Sequence, residues 1–93
     1  MDDVIREAIE RAAAVLKDMG AREVYVFGSA ATGTMREGSD VDLAVVGLPS
    51  GVFFEAIAKA ADALGRDLDL IRLDDDNLFT RYLKKKGKLR RVA

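Results

Sequence analysis

Two strongly strand-forming segments, Val24–Phe27 (VYVF) and Val41–Val46 (VDLAVV), are joined by only thirteen residues. Their β-branched and aromatic content marks them as strands. The connection is too short for a full helical crossover, so the two pair antiparallel or lie in a mixed sheet. VYVF is apolar on both faces, the pattern of a central strand covered by helices on either side. The second segment alternates: Asp40, Asp42 and Ala44 share one face, and Val41, Leu43 and Val45 share the other. Any fold that satisfies both segments brings Gly28-Ser29, which ends the first strand, and Asp40-Val41-Asp42, which opens the second, towards one place.

The remaining chain supplies layers around these strands. Ile5, Ile9, Ala12, Leu16 and Met19 recur at the spacing of one helical face, and Gly20 stops that helix. After Leu48-Pro49, Ser50 is expected to cap a helix whose stripe is Phe53, Ile57, Ala60 or Ala61 and Leu64, ended by Gly65. The Phe53-Phe54 pair is assigned to the core. Asp67–Leu73 forms a third alternating strand with Asp67, Asp69 and Ile71 on one face. Asp74-Asp75-Asp76 reads as a solvated, helix-capping acid run, followed by a helix on Leu78, Phe79, Tyr82 and Leu83 that stops near Gly87, and Lys88–Val92 as a short edge strand. The predicted fold is α/β (α+β): a small mixed sheet of three to four strands flanked by helices, with residues 1–93 as one domain. A sheet this small leaves an edge or face to cover, which fits self-association or a partner protein.

Composition narrows the chemistry. The chain has no cysteine and no histidine, which excludes disulfides and thiolate metal centres and removes the commonest general base and transition-metal ligand. Acid–base work falls to carboxylates, and any metal should be a hard, oxygen-seeking cation. At 93 residues there is no room for a separate substrate-binding domain. No apolar run reaches a membrane span, and the acidic start Met1-Asp2-Asp3 is unlike a signal peptide, so a cytoplasmic protein is expected. Net charge is −1, yet Arg81, Lys84, Lys85, Lys86, Lys88, Arg90 and Arg91 crowd the C-terminal segment while the acids stop at Asp76. Nucleic acid is not the expected partner of that segment: no aromatic residue interleaves it beyond Tyr82, and lysines in a helix's last turn complement its dipole.

Gly28-Ser29 directly after a central strand lets the backbone turn sharply into a short helix whose free N–H groups attract phosphate, with the Ser29 hydroxyl as a further donor. Alone, the pair reads as a turn with a serine cap. Asp40 and Asp42 place like charges on one side of a strand, which a divalent cation would offset; magnesium or manganese suits an all-oxygen donor set. Alone, this pair reads as a strand end fraying in water. Asp69 offers a third carboxylate, with Asp67 its rival on the same face.

Taken together, Gly28-Ser29, ten residues, Asp40-x-Asp42 opening a strand and Asp69 followed by Leu70-Ile71 resemble the nucleotidyltransferase superfamily related to DNA polymerase β, in particular its minimal nucleotidyltransferases. The resemblance covers nearly the whole chain. It implies a nucleotidyltransferase-like fold and Mg2+-dependent transfer of AMP from ATP to an acceptor hydroxyl. Asp40, Asp42 and Asp69 would hold two metal ions, Asp69 would receive the acceptor's proton, and Gly28 and Ser29 would bind the outer phosphates. Where many relatives carry an arginine after the Gly-Ser, this chain has Ala30, Ala31 and Thr32, leaving Arg36 or the basic C-terminal segment to meet the triphosphate. The small branch further implies a HEPN-type toxin as partner, silenced by adenylylation. The alternative is an antitoxin of the same fold with little turnover that neutralises its partner by occlusion.

Overall fold

A computed structural model describes residues 3–28, 31, 40–86 and 89–93. Helix α1 (Asp3–Asp18) leads into strands β1 (Glu23–Phe27) and β2 (Val41–Val46), a 3-10 turn (Ser50–Val52), helix α2 (Phe53–Leu64), strand β3 (Leu68–Arg72), helix α3 (Leu78–Lys86) and the two-residue strand β4 (Arg90–Arg91). The sheet is mixed, in the order β3-β2-β1-β4. β1 and β2 are antiparallel, with Phe27 opposite Asp42 and Val24 opposite Val45. β2 and β3 are parallel, as their connection through α2 requires. The edge strand expected at 88–92 is β4, antiparallel to β1.

Alternation decides which residues go where. Val24 and Val26, Val41, Leu43 and Val45, and Leu68 and Leu70 all project to one side, where α1 and α2 close over them. From α1 the layer receives Ala8, Ile9, Ala12, Ala13 and Leu16; from α2, Ala56, Ala60 and Leu64. Small residues at Ala8, Ala12, Ala56 and Ala60 let two helices lie side by side on a narrow sheet. Arg11 ties the helices by donating from Nε to the carbonyl of Ala63, 3.3 Å away. Gly65 ends α2 in the left-handed region, φ 80°, with its N–H donated to the Ala61 carbonyl, as the C-terminal stop signal predicts.

The opposite face carries Tyr25 and Phe27, Ala44 and Val46, and Ile71, with α3 laid across them through Leu83. β1 is therefore apolar on both faces because helices lie over both.

Three local expectations are corrected. Ser50 caps nothing: the helix begins three residues later, after a 3-10 turn, and neither of their N-caps, Pro49 and Val52, makes a side-chain hydrogen bond. The cap of α3 is Asn77 rather than the aspartate run: its Oδ1 accepts the Thr80 N–H at 2.9 Å, and Thr80 Oγ1 donates to the Asp75 carbonyl at 2.6 Å. The aspartates have other partners, with Asp74 accepting the Gly47 N–H at 2.9 Å and Asp76 holding Arg81 by two hydrogen bonds. Finally, Phe54 is 83% exposed, outside the core to which the Phe53-Phe54 pair was assigned. In α3, Thr80 and Leu83 are buried and Leu78, Phe79 and Tyr82 are exposed.

Leu43, fully buried at the centre of the sheet, should lose about 2–5 kcal/mol of stability on replacement by alanine. Phe54→Ser should stay within about 0.5 kcal/mol; urea unfolding of the two variants measures the contrast.

Candidate functional site

Face parity places the carboxylates. In β2, Val41, Leu43 and Val45 go to the α1/α2 side, so Asp42 goes to the side of α3; in β3, Leu68 and Leu70 do the same to Asp69. The parallel register then sets Asp42 directly beside Asp69. Asp69 is near enough for its charge to act on the Asp42 carboxyl. Asp40 lies just before β2, exposed, and is close enough to act on Asp42 electrostatically. The Asp42 carboxyl is pushed above the usual range, first by burial, then by the charge and hydrogen bond of Asp69, then by the charge of Asp40. Asp67, the same-face rival, is exposed, and its carbonyl accepts the Val41 N–H at 3.2 Å, stitching the start of β3 to β2. Asp69, not Asp67, engages Asp42.

Gly28 closes the other side. It follows Phe27, the cross-strand neighbour of Asp42, and adopts φ 71°. A Cβ built on it would fall inside contact distance of Asp42 Oδ2 and 3.2 Å from Cγ. The turn therefore holds glycine for two reasons: the left-handed backbone and a carboxylate packed against its α-carbon. The chain turns on at once, with the Ala31 N–H donated to the Gly28 carbonyl at 3.1 Å. Ser29 and Arg36, the other two candidates for phosphate, lie outside the described residues.

Two carboxylates set side by side repel, and a proton or a cation between them relieves that repulsion. Among the described residues no three acidic, histidine or cysteine side chains gather closely enough to hold a metal ion. One or two carboxylates, with the remaining positions filled by water and phosphate oxygens, is the donor set magnesium takes. Asp42 and Asp69 fit such an ion as a pair. A cleft of about 450 Å3 lies elsewhere, lined by Arg6, Ile9 and Glu10 of α1 and by Arg90, Arg91 and Val92; it is on the α1 side of the sheet, away from the carboxylates.

A mixed four-stranded sheet that carries paired acids at the end of adjacent strands, beside a glycine turn, defines a nucleotidyltransferase-like protein. The chain belongs to that family: the model of the polymerase beta nucleotidyltransferase domain matches residues 10–89. Among solved structures, it is similar to one described as a minimal nucleotidyltransferase, at 25% identity and a TM-score of 0.75, covering 100% of this chain and 96% of the other. It is also similar to a toxin–antitoxin structure with AMP-PNP, at 26% identity and a TM-score of 0.72 over 92% of this chain and 70% of the other. The fold is shared as well with a complex from Shewanella oneidensis of a tri-AMPylated HEPN toxin and its MNT antitoxin, at 23% identity and a TM-score of 0.65 over 92% and 70% of the chains. No match emerges among curated protein sequences.

Two outcomes follow from this geometry. Gly28→Ala should cost at least about 1–2 kcal/mol, the penalty of a left-handed non-glycine residue. Adding Asp42→Ala should recover the part due to the clash, so that the two substitutions couple in a double-mutant cycle read by urea unfolding. The raised Asp42 carboxyl gives a sign for pH. Because the folded state holds this proton more tightly than the unfolded state, stability falls as pH rises from the ordinary carboxylate range through the raised value. In chelator, Asp42→Asn should therefore melt higher than the parent at neutral pH, and the difference should vanish on acidification below that range.

Proposed function

We propose that this protein transfers AMP from ATP to a hydroxyl group of a HEPN-type partner and acts as the antitoxin of the pair. The observation that carries the reading is the Asp42–Asp69 pair, held in register on adjacent parallel strands against the Gly28 turn. The family match and the likeness to toxin–antitoxin structures, one with AMP-PNP and one with an AMPylated toxin, support it.

Asp40, Asp42 and Asp69 would hold one or two magnesium ions. When bound, the metal neutralises phosphate charge and lowers the pKa of the acceptor hydroxyl. The chain's own groups then have separate tasks. Asp42, fixed between Gly28 and Asp69, orients the α-phosphate end of the nucleotide. Backbone N–H groups at the Gly28-Ser29 turn, with the Ser29 hydroxyl and Arg36, receive the outer phosphates. Asp69, exposed at the rim, takes the proton of the incoming hydroxyl as its oxygen bonds to the α-phosphorus. The bond from the α-phosphorus to the bridging oxygen breaks, and pyrophosphate leaves with that electron pair. A domain of this size has little surface with which to hold an acceptor on its own, which suits an acceptor carried by a partner protein.

A second reading, neutralisation by occlusion with little turnover, is favoured by Ala30-Ala31-Thr32 in place of an arginine near the phosphates. Calorimetry and a transfer assay separate the two. ATP should bind only with magnesium present, and Asp42→Asn should weaken it at least about tenfold, consistent with loss of one charge-assisted contact. Label from α-phosphate-labelled ATP should appear on the partner with the parent protein and not with Asp69→Asn. Binding without label transfer would leave occlusion as the function; absence of magnesium-dependent binding to the folded protein would overturn the enzyme reading.

A further inference from the structure

Helix α3 lies over the face of the sheet that carries Asp42 and Asp69, and it presents aromatic rings outward. Phe79 is 48% exposed and Tyr82 50% exposed. An apolar stripe on a surface helix normally faces the sheet; here Thr80 and Leu83 do so instead. Phe79 is also held in place. Its ring meets that of Phe27 edge-on, with centroids 5.9 Å apart and planes at 65°. Phe27 in turn is the cross-strand neighbour of Asp42 and the residue before Gly28. Neighbouring cross-strand side chains stand about 5 Å apart, so Phe79 lies two side chains from Asp42, about one nucleoside's reach from a phosphate bound there. The helix beneath it is fixed at its start by the Asn77–Thr80 hydrogen bonds and by the Arg81–Asp76 ion pair.

Resting on the nucleotide reading above, we infer that Phe79, flanked by Tyr82, is the stacking platform for the base of the bound nucleotide. An aromatic ring held against a second ring and half exposed offers a base a flat apolar surface at little entropic cost, because the ring is already ordered. A phenylalanine provides no hydrogen bond to a base edge, and the nearest guanidinium on the helix, Arg81, is engaged by Asp76. Recognition through this platform is therefore tolerant of base identity: purines gain more than pyrimidines through ring area, and adenine and guanine gain alike.

The chain has no tryptophan, so Phe79→Trp places a single tryptophan, excited selectively at its long-wavelength edge, at the platform. With magnesium present, ATP should quench its emission while inorganic tripolyphosphate, which lacks a base, should not. By calorimetry Phe79→Leu, which keeps an apolar contact to Phe27, should weaken ATP about tenfold, in the range of one lost base stack, and leave tripolyphosphate unchanged. GTP should lose as much as ATP. Unaltered ATP affinity in Phe79→Leu, or an equal loss for tripolyphosphate, overturns the platform; unaltered ATP affinity with loss of partner binding would assign the ridge to protein docking instead. Failure of the parent to bind either ligand with magnesium would sink the nucleotide reading itself, a result distinct from the other two.

Discussion

The arrangement of this molecule turns on two like charges held side by side. Parallel pairing of β2 with β3 sets Asp42 against Asp69, and burial raises the cost of charging the first of them. Folding alone would not favour such a pair, since opposed carboxylates repel and partial desolvation strengthens the repulsion. The surrounding structure meets that cost elsewhere. On the reverse side of the same strands, Val41, Leu43, Val45, Leu68 and Leu70 are locked under α1 and α2, so the strands cannot slide apart to separate the acids. A one-residue slip would turn every one of these side chains to the wrong face. The apolar layer thus serves as the clamp for the polar one.

Gly28 adds a second constraint from the antiparallel side. The packing of Asp42 against its α-carbon means that the carboxylate is confined by backbone on one flank and by Asp69 on the other. Groups confined in this way are pre-organised: little reorganisation remains when a ligand arrives. The same logic extends outward to Phe79, whose ring is steadied by Phe27, the residue that shares a strand with Gly28 and a register with Asp42.

Much of this was legible in the residues themselves. Period-two alternation is a local property, so the faces of β1, β2 and β3 could be assigned from VYVF, VDLAVV and LDLIR, and with them the common side of Asp42 and Asp69. The registers were not legible: which of Asp67 and Asp69 would stand beside Asp42 depends on how β3 slides along β2, and only the packed core settles it in favour of Asp69. The third helix was legible from Leu78, Phe79, Tyr82 and Leu83, but not which of them would be buried. Among the described residues that sheet face is served by one short helix, with too little apolar surface to cover all four, and the Asn77–Thr80 cap sets the helical phase so that Leu83 and the hydrogen-bonded Thr80 turn inward. Helix starts failed for a related reason. Asp74, Asp76 and Ser50 all have cap chemistry, but tertiary partners at Gly47 and Arg81 claim the aspartates, and the 3-10 turn displaces the helix from Ser50.

The position of β4 bears on synthesis. β1 pairs with β2 soon after both are made, and α2 brings β3 to the far side of β2, but the other edge of β1 is covered by Arg90, Arg91 and the Val92–Ala93 backbone that bonds to Val24, all of which leave the ribosome more than sixty residues after Tyr25. Until then a central strand with two apolar faces carries an open edge, the feature most prone to pair with a foreign strand. Two arginines within that covering segment are apt for that interval, because their charges would hinder stray pairing by the unfinished edge's own eventual partner while it remains undocked.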